Sequence, residues 1–185
     1  MHNSPVGNTQ SGENIRALIG TTLRARCEQS IDQIIHNASQ LIEKFCESPI
    51  ERRLACELVA IGMSINRRIS CANSPKIYWS NIQNDDRLPH GICVFFQPIV
   101  GDYRSDFIVS HRDVKDKRFV AVECDGHEFH EKTKEQAARD KGRDRQFQQL
   151  GLPVFRFTGH EIFTDARKCS AEIEKFLTAP RYIGS

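Results

Sequence analysis

Two short stretches rich in β-branched and aromatic residues, Tyr103–Val109 and Arg118–Asp125, flank the charged run His111-Arg112-Asp113-Val114-Lys115-Asp116-Lys117-Arg118 and carry acidic residues among their apolar ones. This arrangement reads as two antiparallel strands joined by a polar hairpin loop centred between Val114 and Lys115. In a symmetric hairpin, residues whose numbers sum to 229 lie opposite each other. Asp106 then faces Glu123 and Arg104 faces Asp125. Strand side chains alternate between faces, so Glu123 and Asp125 project with Asp106 on one side, while Phe107, Val109, Val120 and Val122 point to the other. Like charges directly opposite on adjacent strands are destabilising, and crowded carboxylates must share protons or bind a cation. A divalent metal resolves the conflict. Mg²⁺ or Mn²⁺ held by such oxygens polarises a phosphate and helps generate a hydroxide nucleophile. In the competing reading, Asp106 opens a turn and Arg104 pairs with Asp125, which leaves Glu123 without a partner inside the apolar run Phe119-Val120-Ala121-Val122.

The remaining pattern predicts an α/β (α+β sandwich) fold with a mixed central sheet flanked by helices. Residues 1–12 read as a polar, disordered lead-in. Residues 13–47 form a helical extension, with Ile15, Leu18, Ile19 and Leu23, then Ile31, Ile34, Ile35, Ala38, Leu41, Ile42 and Phe45, at the spacing of two amphipathic helices broken near Cys27–Ser30. That pair either packs on the domain or forms a homodimerisation arm. The domain, 48–179, opens on Ser48-Pro49-Ile50-Glu51, a capping box that starts a helix running to about Ser64. Strands follow at Arg68–Cys71, Lys76–Trp79, Ile92–Val100, Tyr103–Val109 and Arg118–Asp125, then a helix over 133–150, a strand at Pro153–Phe157 and a last helix from near Asp165 to Leu177.

No apolar run approaches the about 20 residues a membrane span requires, and the opening residues lack the basic-then-apolar order of a secretory signal, so a cytoplasmic protein is expected. Seven scattered cysteines with no C-x-x-C pair read as reduced thiols. A net charge of +2 does not by itself announce nucleic acid, so any basic surface must be local.

The residues Tyr103-Arg104-Ser105-Asp106-Phe107, Val122-Glu123-Cys124-Asp125-Gly126 with His130, and Asp140, Arg143, Asp144, Phe147, Gly151, Val154, Arg156 and Phe157 form an ordered set. It resembles the very-short-patch-repair-endonuclease-like branch of the PD-(D/E)XK nuclease superfamily over about residues 48–177. The resemblance implies a restriction-endonuclease-like core, DNA as the substrate and partner, and Asp106 and Glu123 as metal ligands. Asp125 stands where the superfamily pattern has Lys, and serves as a third ligand or a water-orienting group. Glu51 matches the acidic residue of the preceding helix, beside its capping role. His130 matches the family histidine, suited to proton transfer because imidazole titrates near neutrality. A zinc site of Cys124, His127 and His130 is the weaker alternative, because strand alternation turns Cys124 away and no fourth ligand is evident.

On the helix after the acidic strand, Asp140, Arg143 and Asp144 share one face at i, i+3 and i+4. Arg143 either touches a phosphate or buttresses the carboxylates, against the reading of a simple Asp140–Arg143 pair. Lys141 and Arg104 are further candidates for phosphate contact, Lys141 as a replacement for the absent strand lysine. The expected function is a Mg²⁺-dependent endodeoxyribonuclease; the alternative is an inactive nuclease-fold module that binds nucleic acid or protein.

Overall fold

A computed structural model of the chain describes residues 9–66, 69–72, 77–88, 90–114, 116–126 and 134–180. The chain divides into two units, Met1–Asn37 and Ala38–Ser185. The first is helical from Thr9 onward, as the start of α1 (Thr9–Phe45). The expected break near Cys27–Ser30 is absent: Glu28-Gln29-Ser30 interrupts the apolar stripe, but no Gly or Pro there forces the backbone out of the helix. No helix among the described residues is long and apolar enough to cross a membrane, and the six described cysteines are free.

The second unit contains the last turns of α1, then α2 (Pro49–Asn66), β1 (Ile69–Ala72), α3 (Trp79–Gln83), β2 (Gly91–Phe96), β3 (Ile99–Val100), β4 (Tyr103–Arg104), β5 (Phe107–Arg112), β6 (Lys117–Asp125), α4 (Lys134–Gln149), β7 (Val154–Thr158) and α5 (Gly159–Thr178). It is a mixed α/β sandwich around a five-stranded sheet of order β1-β2-β5-β6-β7. The outer pairs, β1–β2 and β6–β7, are parallel, and the inner ones are antiparallel. The β5–β6 hairpin has the register expected from its loop: Phe107 pairs with Val122 and Arg112 with Lys117. Its turn is fixed by Asp113, whose N–H donates to the Asp116 carbonyl and whose carboxylate accepts from the Asp116 N–H.

Alternation along the strands builds two cores. Val94, Phe96, Phe107, Val109, Val120, Val122 and Phe157 face Leu54, Leu58, Ile162 and Ile173 of α2 and α5. Cys93, Phe95, Ile108 and Ala121 face Trp79 of α3 and Phe147 of α4. Glu123, two residues beyond Ala121, therefore projects to the α4 side.

Three strands expected from β-propensity are divided or replaced. Ile92–Val100 is split by Gln97-Pro98, where Gln97 adopts a left-handed φ of 47° and Pro98 has no N–H to offer a ladder. Tyr103–Val109 is split at Ser105-Asp106, because β4 pairs with β3 in a separate two-stranded sheet. The expected strand Lys76–Trp79 gives a single bridge from Tyr78 to Ile99 and then α3, whose Trp79 and Ile82 are buried.

The last helix starts earlier than Asp165. Thr158 and Glu161 form a capping box that opens α5 at Gly159, and the chain leaves helical geometry at Asp165 (φ −154°, ψ 79°). Asp165 Oδ1 there accepts from the Lys168 N–H at 3.0 Å, the contact of a second N-cap.

Candidate active site

Asp106 stands between β4 of the two-stranded sheet and β5 of the five-stranded one. Its carbonyl accepts from the N–H of Gln97 at 2.9 Å, and its Oδ2 accepts from the N–H of Cys124 on β6 at 2.7 Å. Burial pushes its carboxyl up to about 7; the Cys124 amide works the other way, Glu123 and Glu51 raise it further, and Arg143 lowers it. Its field is thus shared with a strand, a helix start and α4.

Glu123 is only 3% exposed. Its Oε2 meets Nη1 of Arg143 at 2.8 Å, and its Oε1 is buried with no hydrogen-bond partner among the described residues. Burial raises its carboxyl; the Ser105 hydroxyl, Arg143 and Arg156 oppose this, and Asp125 adds to it. The Ser105 hydroxyl, itself fully buried, lies beside Glu123 but donates to the Phe107 carbonyl at 3.0 Å and approaches that of Val122 at 3.5 Å, which leaves Oε1 unsatisfied.

Asp125, half-buried at the end of β6, pairs in register with Thr158 of β7. Arg104 does not lie opposite it, because the β5–β6 ladder ends at Phe107 and Val122. Arg104 instead pairs with Glu47 at 2.9 Å, with both side chains more than half exposed, a pair worth about 0–1 kcal/mol. The three carboxylates are consequently coupled in sequence, Asp106 to Glu123 and Glu123 to Asp125. Among the described residues no group of three or more His, Cys, Asp or Glu side chains is arranged to hold a metal ion.

Glu51 combines both readings of the sequence. Its Oε1 accepts from the Ser48 hydroxyl at 2.7 Å and its Oε2 from the Glu47 N–H at 2.9 Å, while its own N–H donates to Ser48 Oγ at 3.3 Å. The same charge raises Asp106 and the thiols of Cys46 and Cys124. Cys124 packs on the α2–α5 core, on the face away from Glu123, and burial lifts its thiol well above the usual range. His127 and His130 lie outside the described residues.

Arg143 reaches down from α4, with Asp140 at 3.6 Å from Nη2 as well as Glu123. Lys141, two residues away and so on the far side of the helix, is exposed. Arg156, in register with Glu123 on β7, pairs with Asp144 at 2.5 Å.

Two contributors were given no role from sequence, Ser105 and Gln97, and the pairing of Asp144 with Arg156 was not foreseen although both residues were named. Gln97-Pro98 was a legible turn signal. Nothing local marks Ser105, whose role depends on which carbonyls it meets. The β3–β4 turn is tied to α4 through Gln146, whose Oε1 accepts from the Asp102 N–H at 3.1 Å. Glycine suits position 101, where φ is 61° and a Cβ would displace the Gln146 amide that makes this contact.

Residues 89–177 match the family model REase_MTES_1575, a restriction-endonuclease-like family. No curated protein and no solved structure matches. The matched residues run from β2 through α5, and the mixed α/β sheet order is that of a restriction-endonuclease-like core.

Proposed function

We propose that the chain is a Mg²⁺- or Mn²⁺-dependent endonuclease that hydrolyses phosphodiester bonds in DNA, of the very-short-patch-repair-like kind. The observation that carries this reading is the pair Asp106, just before β5, and Glu123 on β6, two carboxyls pushed upward by burial, the second of which keeps a buried oxygen without a partner among the described residues. A cation at that oxygen offsets a penalty of about 1–3 kcal/mol for an unsatisfied buried group. Mg²⁺ usually takes one or two protein carboxylates, with waters and substrate phosphate completing its shell, so a two-carboxylate donor set suits it. When bound, the metal supplies charge stabilisation at the phosphate and a more acidic water.

In this reading Asp106 and Glu123 hold the metal, and Asp125 is a third ligand or orients water. Arg143 neutralises phosphate charge, and His130 moves a proton to or from the reacting oxygens. Glu51 tunes Asp106 from the start of α2. In the same reading Lys141 and Arg104, both exposed, contact the DNA backbone. Leu18, Ile19, Leu23, Ile31 and Ile35 of α1 are exposed apolar residues suited to pairing with a second copy of the chain.

Supercoiled plasmid incubated with purified protein and Mn²⁺ or Mg²⁺ tests the reading, with Asp106→Ala and Glu123→Gln alongside. Nicking by wild type alone is expected. No nicking by any of them leaves the inactive, nucleic-acid-binding reading, which Asp125 in place of lysine favours. Equal nicking by all three would betray a contaminant.

A further inference from the structure

On the α4 side of the sheet, unsatisfied groups of both signs sit within one network. Arg143 spans Glu123 and Asp140, and Arg156 pairs with Asp144. Yet Nε of Arg143 and Nε of Arg156 are buried without acceptors among the described residues, as Oε1 of Glu123 is without a donor. The residues are brought together by simple periodicities. Glu123 and Arg156 are register partners on β6 and β7, and their chain neighbours, Val122 and Cys124 and Phe155 and Phe157, pack on the opposite face. Asp140, Arg143 and Asp144 share a face of α4.

As a purely structural device this arrangement makes little sense. Asp144 is 47% exposed, so its pair with Arg156 contributes about 0–1 kcal/mol, while a buried N–H left unpaired costs about 1–3 kcal/mol. The unpaired Nε of Arg156 alone cancels what its pair with Asp144 contributes. The side chains of Arg143 and Arg156 are 19% and 25% exposed although each Nε is buried, so a phosphate first meets the solvent-reached part of the guanidinium and engages Nε only as Arg156 turns from Asp144. A guanidinium presents Nε–H and Nη–H as a planar fork that matches two oxygens of one phosphate.

We propose that Arg143 and Arg156 form a phosphate-gripping pair for the nucleic-acid backbone, and that Asp144 is a placeholder that Arg156 leaves when the phosphate arrives. This rests on the nucleic-acid reading of the site, not on catalysis. Arg156 lies beside Glu123, so the gripped phosphate is adjacent to the carboxylates. Asp144, already half in solvent, is released to water at little cost.

The test is the binding of a fluorescein-labelled duplex DNA, read by anisotropy over a range of NaCl concentrations in EDTA, so that neither metal binding nor cleavage enters. Arg156→Gln should weaken binding about tenfold or more and reduce the slope of log K against log salt by about one phosphate contact. Arg156→Lys should keep the slope and lose part of the affinity, because ammonium retains charge but not the fork. Asp144→Asn, which frees the guanidinium, should bind as tightly as wild type or more so. Circular dichroism melts of each variant confirm that it is folded. The inference is overturned if Asp144→Asn weakens binding as Arg156→Gln does, since the pair would then be structural. It is equally overturned if Arg156→Gln leaves the slope unchanged, or if wild type shows no salt-dependent binding. Failure of plasmid nicking with these binding results intact removes the nuclease reading alone; nicking with an unaltered Arg156→Gln slope removes this inference alone.

Discussion

Asp106→Asn should make the metal-free protein more stable, by an amount that grows as pH rises from about 4 to about 7 and persists above it. A carboxyl that is a weaker acid in the folded chain than in the unfolded one makes the folded state bind more protons between pH 3.8 and about 7. Stability therefore falls as pH rises through that window and stays reduced above it. Moving the acidity from 3.8 to about 7 corresponds to a ceiling of about 4 kcal/mol. The carboxyl is partly open to solvent, where effective screening is strong, and about 2 kcal/mol is the expected share. Asn keeps an acceptor for the Cys124 amide and never ionises, so no hydrogen bond is lost. Urea unfolding in EDTA, followed by circular dichroism at pH 4, 6 and 8, measures the difference. At pH 8 the variant should be more stable by about 2 kcal/mol with an unchanged denaturant slope, and the gap should narrow toward zero at pH 4. A variant less stable than wild type at pH 8, or a gap independent of pH, would refute the claim that burial and like charges strain this carboxylate. Mg²⁺ should then stabilise wild type more than the variant.

Two further outcomes follow from local structure. Thr158→Ala removes the capping box of α5 and should cost about 1 kcal/mol in urea unfolding; Glu161, held below the ordinary carboxylate range by the Thr158 amide and hydroxyl, should become a weaker acid in a carboxyl NMR titration. Leu18→Glu with Leu23→Glu in the full chain should convert a dimer into a monomer by sedimentation velocity, and a wild-type monomer would remove the pairing role of α1.

What the sequence made legible was whatever a short period encodes. The β5–β6 register followed from the symmetry of its loop, because a one-residue slip would have turned Val120 and Val122 out of the core. Alternation also put Glu123 on the α4 face and Cys124 on the other. Periodicity says nothing about which neighbour a strand chooses, and there the reading failed. Tyr103 and Arg104 carry the same β-favouring character as the residues after them, yet their partners are Val100 and Ile99, and the Asp106 carbonyl goes to the Gln97 amide instead of extending the ladder. Arg104 was therefore set opposite Asp125 when it meets Glu47. The start of α5 was legible and overlooked: Thr158-Gly159-His160-Glu161 has the spacing of a capping box, while Asp165, taken for the start, caps only its second segment.

Glu51 shows why helix-start signals and site chemistry are hard to separate by inspection, and one pair of substitutions separates them. Its carboxylate holds the Ser48 hydroxyl and the Glu47 amide, which starts α2, and its charge acts on Asp106. Glu51→Gln keeps an acceptor for those donors but removes the charge. Glu51→Ala removes both. If the two roles are distinct, Ala should cost about 1 kcal/mol of stability through the lost cap and Gln only a few tenths, while both should make Asp106 a stronger acid, moving its titration below about 7. A carboxyl ¹³C titration of Asp106 in each variant reads the second effect directly. An Asp106 titration unmoved in Glu51→Gln would reduce Glu51 to a helix cap. A shift in both variants, with the stability loss confined to Ala, would mean that the chain uses one carboxylate to begin a helix and to strain the acid beside it.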